Sequence, residues 1–69
     1  MQVHEIKDLS DRQLQEELEN SYKELMNLRF RAATNQLTDT NQPRKTRNTI
    51  ARLLTVIRQR ELERELAGR

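Results

Sequence analysis

An all-α fold, a long antiparallel two-helix hairpin with a short N-terminal helical turn, follows from three features of this 69-residue chain. Gly and Pro each occur once and aromatic residues are scarce, which removes the turn and strand chemistry of a β-rich domain. The apolar third of the sequence is rich in leucine, and slightly more than a third is charged, the makeup of long helices. Two apolar seams with helical spacing are separated by one polar break. A chain of this length forms one small domain, residues 1–69, with little interior.

The first long helix has a complete start signal. Ser10 is an N-cap, Gln13 closes a capping box with it, and Leu9 and Leu14 form a hydrophobic staple. Asp11, Glu16 and Glu17 suit the positive end of the helix dipole. Leu14, Leu18, Ser21, Leu25, Leu28 and Ala32 then recur at alternating four- and three-residue steps, a seam for packing against another helix. The helix is expected over residues 11–35, where Asn35 tolerates the left-handed conformation that ends many helices. Ahead of it, residues 1–8 offer a short turn whose Val3 and Ile6 cap the open end of the hairpin.

Residues 36–42 are the polar connection, and the second helix is expected over residues 43–66. Pro43 fits the first turn of that helix, where its missing N–H has no intrahelical partner. The second seam is Thr46, Ile50, Leu53 or Leu54, and Ile57. A short connection between helices of similar length makes them antiparallel neighbours.

Phe30 falls outside the first seam. At about 100° per residue it points some ~140° away from Leu25. It groups instead with Met26, Ala33 and Leu37, and loosely with Tyr22, as a second apolar stripe that a two-helix hairpin leaves uncovered. A third helix from residues 1–8, self-association or an external partner would each cover it. The partner is favoured because the N-terminal segment is short and packs near the other end of the helix. Tyr22, Met26, Phe30, Ala33 and Leu37 are therefore the expected protein-contact residues.

Charge is sorted along the chain. Residues 1–28 carry a net of −4, residues 29–60 a net of +7, and residues 61–69 a net of −1. The basic segment holds Arg29, Arg31, Arg44, Lys45, Arg47, Arg52, Arg58 and Arg60 against Asp39 alone. That density without matching carboxylates points to a polyanion, and guanidinium groups suit the phosphates of structured RNA. These eight residues are the expected RNA ligands, with Thr46, Asn48, Thr49 and Thr55 adding polar contacts. A membrane surface is disfavoured, since the basic face lacks the broad apolar opposite face of an interfacial helix. No catalysis, metal or cofactor is expected: His4 is the one histidine, cysteine is absent, and a single Gly allows no phosphate-binding loop. With no leader signature at MQVHEIKD and no span of ~20 apolar residues, the expected location is the cytoplasm.

Asn27-Leu28-Arg29-Phe30, Ala33-Thr34 and Gln36-Leu37, followed by Arg47 and the run Ile50-Ala51-Arg52-Leu53-Leu54-Thr55-Val56, closely resemble the ribosomal protein L29 family of the large subunit. The resemblance covers nearly the whole chain, and the two blocks at this separation are specific. It implies a helical hairpin that binds large-subunit ribosomal RNA near the exit of the nascent-chain tunnel, beside ribosomal protein L23. It also implies a place on the rim where nascent-chain chaperones and the signal recognition particle dock, and a scaffolding role without a reaction. Arg29, Arg47 and Arg52 match the family as RNA contacts, and Phe30 and Leu37 match its motif. The chain departs from the family in having Arg31 for a common Gln, Asn35 for a common Gly, and Pro43 three residues after the usual proline, where Thr40 stands, so that the resemblance places the start of the second helix anywhere from Thr40 to Pro43. The competing reading is a coiled-coil module that dimerises through the exposed stripe, its charges merely solvating it. A helical arm of an enzyme is a third reading, which the initial Met and the charged tail disfavour.

Overall fold

A computed structural model describes residues 2–68; the two ends of the expected 1–69 span lie outside the described residues. Among those residues there are three helices and no strand: α1 (Val3–Lys7), α2 (Asp11–Ala33) and α3 (Gln42–Ala67). The long helices α2 and α3 pack on each other, and α1 lies against α3. Asp11, at the start of α2, meets Arg60 and Arg64, near the end of α3, so the pair is antiparallel.

The start of α2 forms as its sequence requires. The Gln13 backbone N–H donates to Ser10 Oγ at 3.2 Å, and the Ser10 N–H donates to Gln13 Oε1 at 2.9 Å. Leu9 packs with Leu14 into the same apolar cluster, which fixes the angle at which the chain enters the helix. At the other end, α2 stops two residues before the expected position 35. Thr34 is the C-cap and Asn35 follows with φ of 59°. The Gln36 N–H reaches the Arg31 carbonyl at 2.8 Å, and the Asn35 N–H reaches that of Ala32 at 3.2 Å. Those two bonds make a Schellman motif, with asparagine in the left-handed position where glycine is commonest.

The connection then turns on Asp39, whose Oδ1 accepts from the Asn41 N–H at 2.9 Å. Helix α3 begins at Gln42, inside the expected Thr40–Pro43 window, with Pro43 in its first turn.

Burial is concentrated away from the turn. Ile6, Leu14, Leu53 and Val56 form the core cluster, with Leu9, Leu18 and Ile57 packed against it. Leu25, Leu28 and Ile50 continue the seam toward the turn, together with buried Ser21 and Thr46. No buried side-chain N or O atom among the described residues lacks a hydrogen-bond partner. The structure resolves the Leu53/Leu54 alternative: Leu53 is fully buried and Leu54 is exposed.

Two expectations are corrected. Val56, outside the predicted seam, is buried, because α1 covers the flank of α3 and sets Ile6 beside it. Ala32, inside the predicted seam, is exposed, because the antiparallel register places it level with the connection rather than with α3.

The shape is long and thin, 52 × 18 × 15 Å, with a Cα radius of gyration of 14.7 Å. A compact chain of this length has a radius near ~11 Å. Its accessible surface of 5454 Å² exceeds the ~4,600 Å² of a compact monomer of this mass. The surplus is surface that the chain alone leaves wet.

Asn35 gives a direct test of the α2 terminus. Asn35→Val should destabilise the chain by about 1–2 kcal/mol, since a β-branched residue is strained at positive φ. At roughly 4–8 °C per kcal/mol, thermal melting followed by circular dichroism resolves that loss. Asn35→Gly should melt at or above the parent temperature, and equal melting of all three chains would rule out the left-handed cap.

Candidate nucleic-acid and protein interface

The expected RNA ligands do not form one set. Arg29 and Arg31 lie in the last turns of α2, and Arg44, Lys45 and Arg47 in the first turns of α3, all exposed. None of these five engages a carboxylate among the described residues; the ion pairs Arg12–Glu16, Arg58–Glu61, Arg60–Asp11 and Arg64–Asp11 lie toward the other end of the hairpin. Arg52 is exposed in the middle of α3 and lines a cleft against α1. Arg58 is exposed and paired with Glu61 at 3.2 Å.

Arg60 has a different task. Its guanidinium is mostly covered, donates to Asp11 Oδ1 at 3.0 Å and to the Lys7 carbonyl at 3.0 Å, and so joins α3 to both other helices. Arg64 completes the clamp, reaching Asp11 Oδ2 at 2.6 Å. The sequence carries a signal for this role. Arg60 and Arg64 are one turn apart, and an antiparallel hairpin brings them opposite the acidic first turn of α2. A charge tally by segment does not register it.

Asp11 is the acid at the centre of the clamp. The hydrogen bond from Arg60 is the main cause holding its carboxyl below the ordinary value of 3.8; desolvation opposes it, and the charges of Arg64 and Arg60 with the Arg64 hydrogen bond add to the lowering. A depressed carboxyl stabilises the fold above its ordinary value, and the contribution is lost as pH falls through the folded value.

The expected polar contacts from threonine are largely spent inside the helix. Thr46 is buried, Thr49 Oγ1 donates to the Lys45 carbonyl at 3.2 Å, and Thr55 Oγ1 donates to the Ala51 carbonyl at 2.8 Å. Asn48 remains exposed.

The apolar stripe stands in solvent. Met26 is 69% and Phe30 65% exposed, Tyr22 45%, Ala33 is exposed, and Leu37 alone is half-buried. A fifth exposed apolar side chain, Leu54 at 43%, joins them from α3. The geometry follows from a cleft near the open end that Gln15 and Glu61 both line. Three- and four-residue steps carry Gln15 along one face to Tyr22, Met26 and Ala33, and carry Glu61 back to Arg58, Leu54 and Arg47. Stripe and Leu54 therefore share one face, and α1 sits on the other.

His4 lies exposed on α1, and no group of acidic, His or Cys side chains among the described residues is arranged to hold a metal. No helix among them is long and apolar enough to cross a membrane.

A capped hairpin with an ion-paired open end, a cationic turn end and an apolar outer stripe narrows the class, and sequence comparison decides it. The model of the family described as "Ribosomal L29 protein" matches residues 4–60. The chain belongs to the ribosomal L29 protein family. Proteins named large ribosomal subunit protein uL29 from Staphylococcus aureus (strain JH9) and Staphylococcus carnosus (strain TM300) are each 47% identical to it over 68 residues, covering 99% of both chains. In this L29-family chain the matched segment takes in α1 residues from His4, all of α2 and its Asn35 cap, and α3 through Arg60, the last of the clamp residues but one.

The clamp is testable by titration. The melting temperature of the parent chain should fall relative to that of Asp11→Asn as pH drops below about 4, while Asp11→Asn is the less stable of the two at neutral pH. Parallel pH profiles for the two chains would remove Asp11 from the clamp.

Proposed function

We propose that this chain is a structural constituent of the large ribosomal subunit, supporting translation without catalysing a reaction. It binds large-subunit ribosomal RNA through the cationic turn end and a neighbouring ribosomal protein through the stripe of Tyr22, Met26, Phe30, Ala33 and Leu37. The place is the rim of the nascent-chain tunnel exit on the cytoplasmic ribosome. The family resemblance supports L23 as the protein neighbour, and the same rim receives chaperones and the signal recognition particle.

One observation carries the reading: five cations around the turn stand without carboxylate partners among the described residues, 23-residue α2 presenting two of them beside an exposed apolar row. Uncompensated charge of this density repels itself in the free chain, and phosphate neutralises it. Dimerisation through the stripe covers Phe30 and Met26 but brings Arg29 and Arg47 of two copies together, which raises the repulsion. That favours assembly with RNA over the coiled-coil reading.

The chain should co-sediment with large subunits and leave them as salt rises, with a log–log slope of roughly 0.7–0.9 per phosphate contact. A free dimer that never enters the particles would overturn the proposal. Phe30→Ala should leave the helicity of the free hairpin nearly unchanged and weaken retention in the particle, read from the fraction of subunits that keep the chain on washing. A large loss of helicity in the free chain would instead return Phe30 to the core.

A further inference from the structure

Between α1 and α3 lies an open cleft of about 210 Å³. Val3, Ala51 and Val56 give it an apolar floor, Thr55 lines its wall, and Lys7 and Arg52 bring cations to it. Gln59 completes the lining, and no carboxylate among the described residues lines the cleft. The Lys7 backbone carbonyl is held by Arg60, which fixes the main chain from which the Lys7 side chain reaches the cleft. Lys7 lies in the acidic first segment of the chain.

We propose that this cleft seats one ribose of the RNA backbone, with Lys7 and Arg52 on the flanking phosphates. The inference rests on the RNA-binding reading above and extends its surface from the turn end to α1.

Three features argue for a sugar–phosphate occupant. The volume is below that of a drug-sized ligand site and suits a single small ring. A lining that combines apolar side chains with two basic residues complements a ribose, whose C–H face is apolar and whose neighbours on the chain are anionic. The third feature is Thr55. Its hydroxyl hydrogen is spent on the Ala51 carbonyl at 2.8 Å, so the oxygen of this lining residue keeps only acceptor capacity. A ribose 2′-hydroxyl supplies the donor, which deoxyribose lacks.

The cleft is also continuous with the cationic end. On α3, Lys45 and Arg52 are seven residues apart and therefore share a flank, while Arg44, Asn48, Ala51 and Thr55 follow one another at three- and four-residue steps along the outward face. A strand of RNA crossing the first turns of α3 meets the cleft about two turns further on. Ala51 is small and exposed there, so nothing on the helix stands between backbone and floor.

The test compares the full-length chain with Lys7→Gln, Ala51→Leu and Lys23→Gln in binding to protein-free large-subunit ribosomal RNA across a salt series. Lys23, exposed in the middle of α2, is the control for loss of a cation elsewhere. Lys7→Gln should lower the salt slope by roughly 0.7–0.9, the value of one phosphate contact. Ala51→Leu fills the cleft without altering charge and should weaken binding several-fold, about 1.4 kcal/mol for each tenfold, with an unchanged slope. Lys23→Gln should bind as the parent does. Circular dichroism of each variant separates lost binding from lost folding, and Thr55→Val, which keeps the shape of the wall, replaces Ala51→Leu if the latter unfolds.

Parent-like binding by both Lys7→Gln and Ala51→Leu would overturn the cleft assignment while leaving the RNA-binding reading intact. Loss of L23 capture by Ala51→Leu with RNA binding unaltered would overturn it too, by giving the cleft to a protein side chain. Failure of the parent chain to bind the RNA would instead overturn the reading on which the inference rests.

Discussion

The hairpin depends on the apolar contact made at its open end. Ile6, Leu14, Leu53 and Val56 exclude water there, and three helices contribute to a cluster that two helices do not complete. Burial of an aliphatic side chain is worth about 1.5–3 kcal/mol, so this handful of residues carries much of the driving force available to a chain of this size. The remaining seam residues between Leu18 and Leu28 extend the contact as a single file. Holding the helices at one end and threading them with a narrow seam toward the other is what lets the molecule reach 52 Å in length.

That arrangement sorts the charges. Ion pairs are tolerated at the open end because Asp11, Arg60 and Arg64 lie where α1, α2 and α3 converge, and the clamp sets the register that places every residue downstream. Exposed ion pairs add little on their own; this one joins three elements at once, so its value lies in orientation rather than in Coulomb energy. At the turn end the same helices carry cations with no acids opposite. Separation of the two ends by the seam keeps the acidic first half of α2 from neutralising the basic start of α3.

Local signals were fully legible in the sequence. Ser10 with Gln13, Asn35 before a polar run and Pro43 in a first turn each act through neighbours within a few residues, and each forms as its chemistry requires. The exposure of Phe30 was legible too, since one helix face has room for one seam. Features requiring a third body were not. Val56 is buried by α1, a five-residue helix whose position is set by tertiary contact rather than by its own propensity. Arg60 looked like one more cation of a basic run, and only the antiparallel register brings Asp11 and the Lys7 carbonyl to it. Leu54 was weighed for the core; one step of rotation on the helix from Leu53 put it on the outer face with the stripe instead.

The excess surface follows from the same constraint. A chain that buried Phe30, Met26 and Tyr22 internally would need another helix across α2, and that helix would cover the flank from which Arg29 and Arg47 project. Leaving the stripe wet costs the free chain stability that a compact fold of equal length would keep. On the proposed docking, apolar burial and charge neutralisation are both completed in the assembled particle. In this protein of the L29 family, the short core at the open end then has a limited task, which is to hold two helices in register.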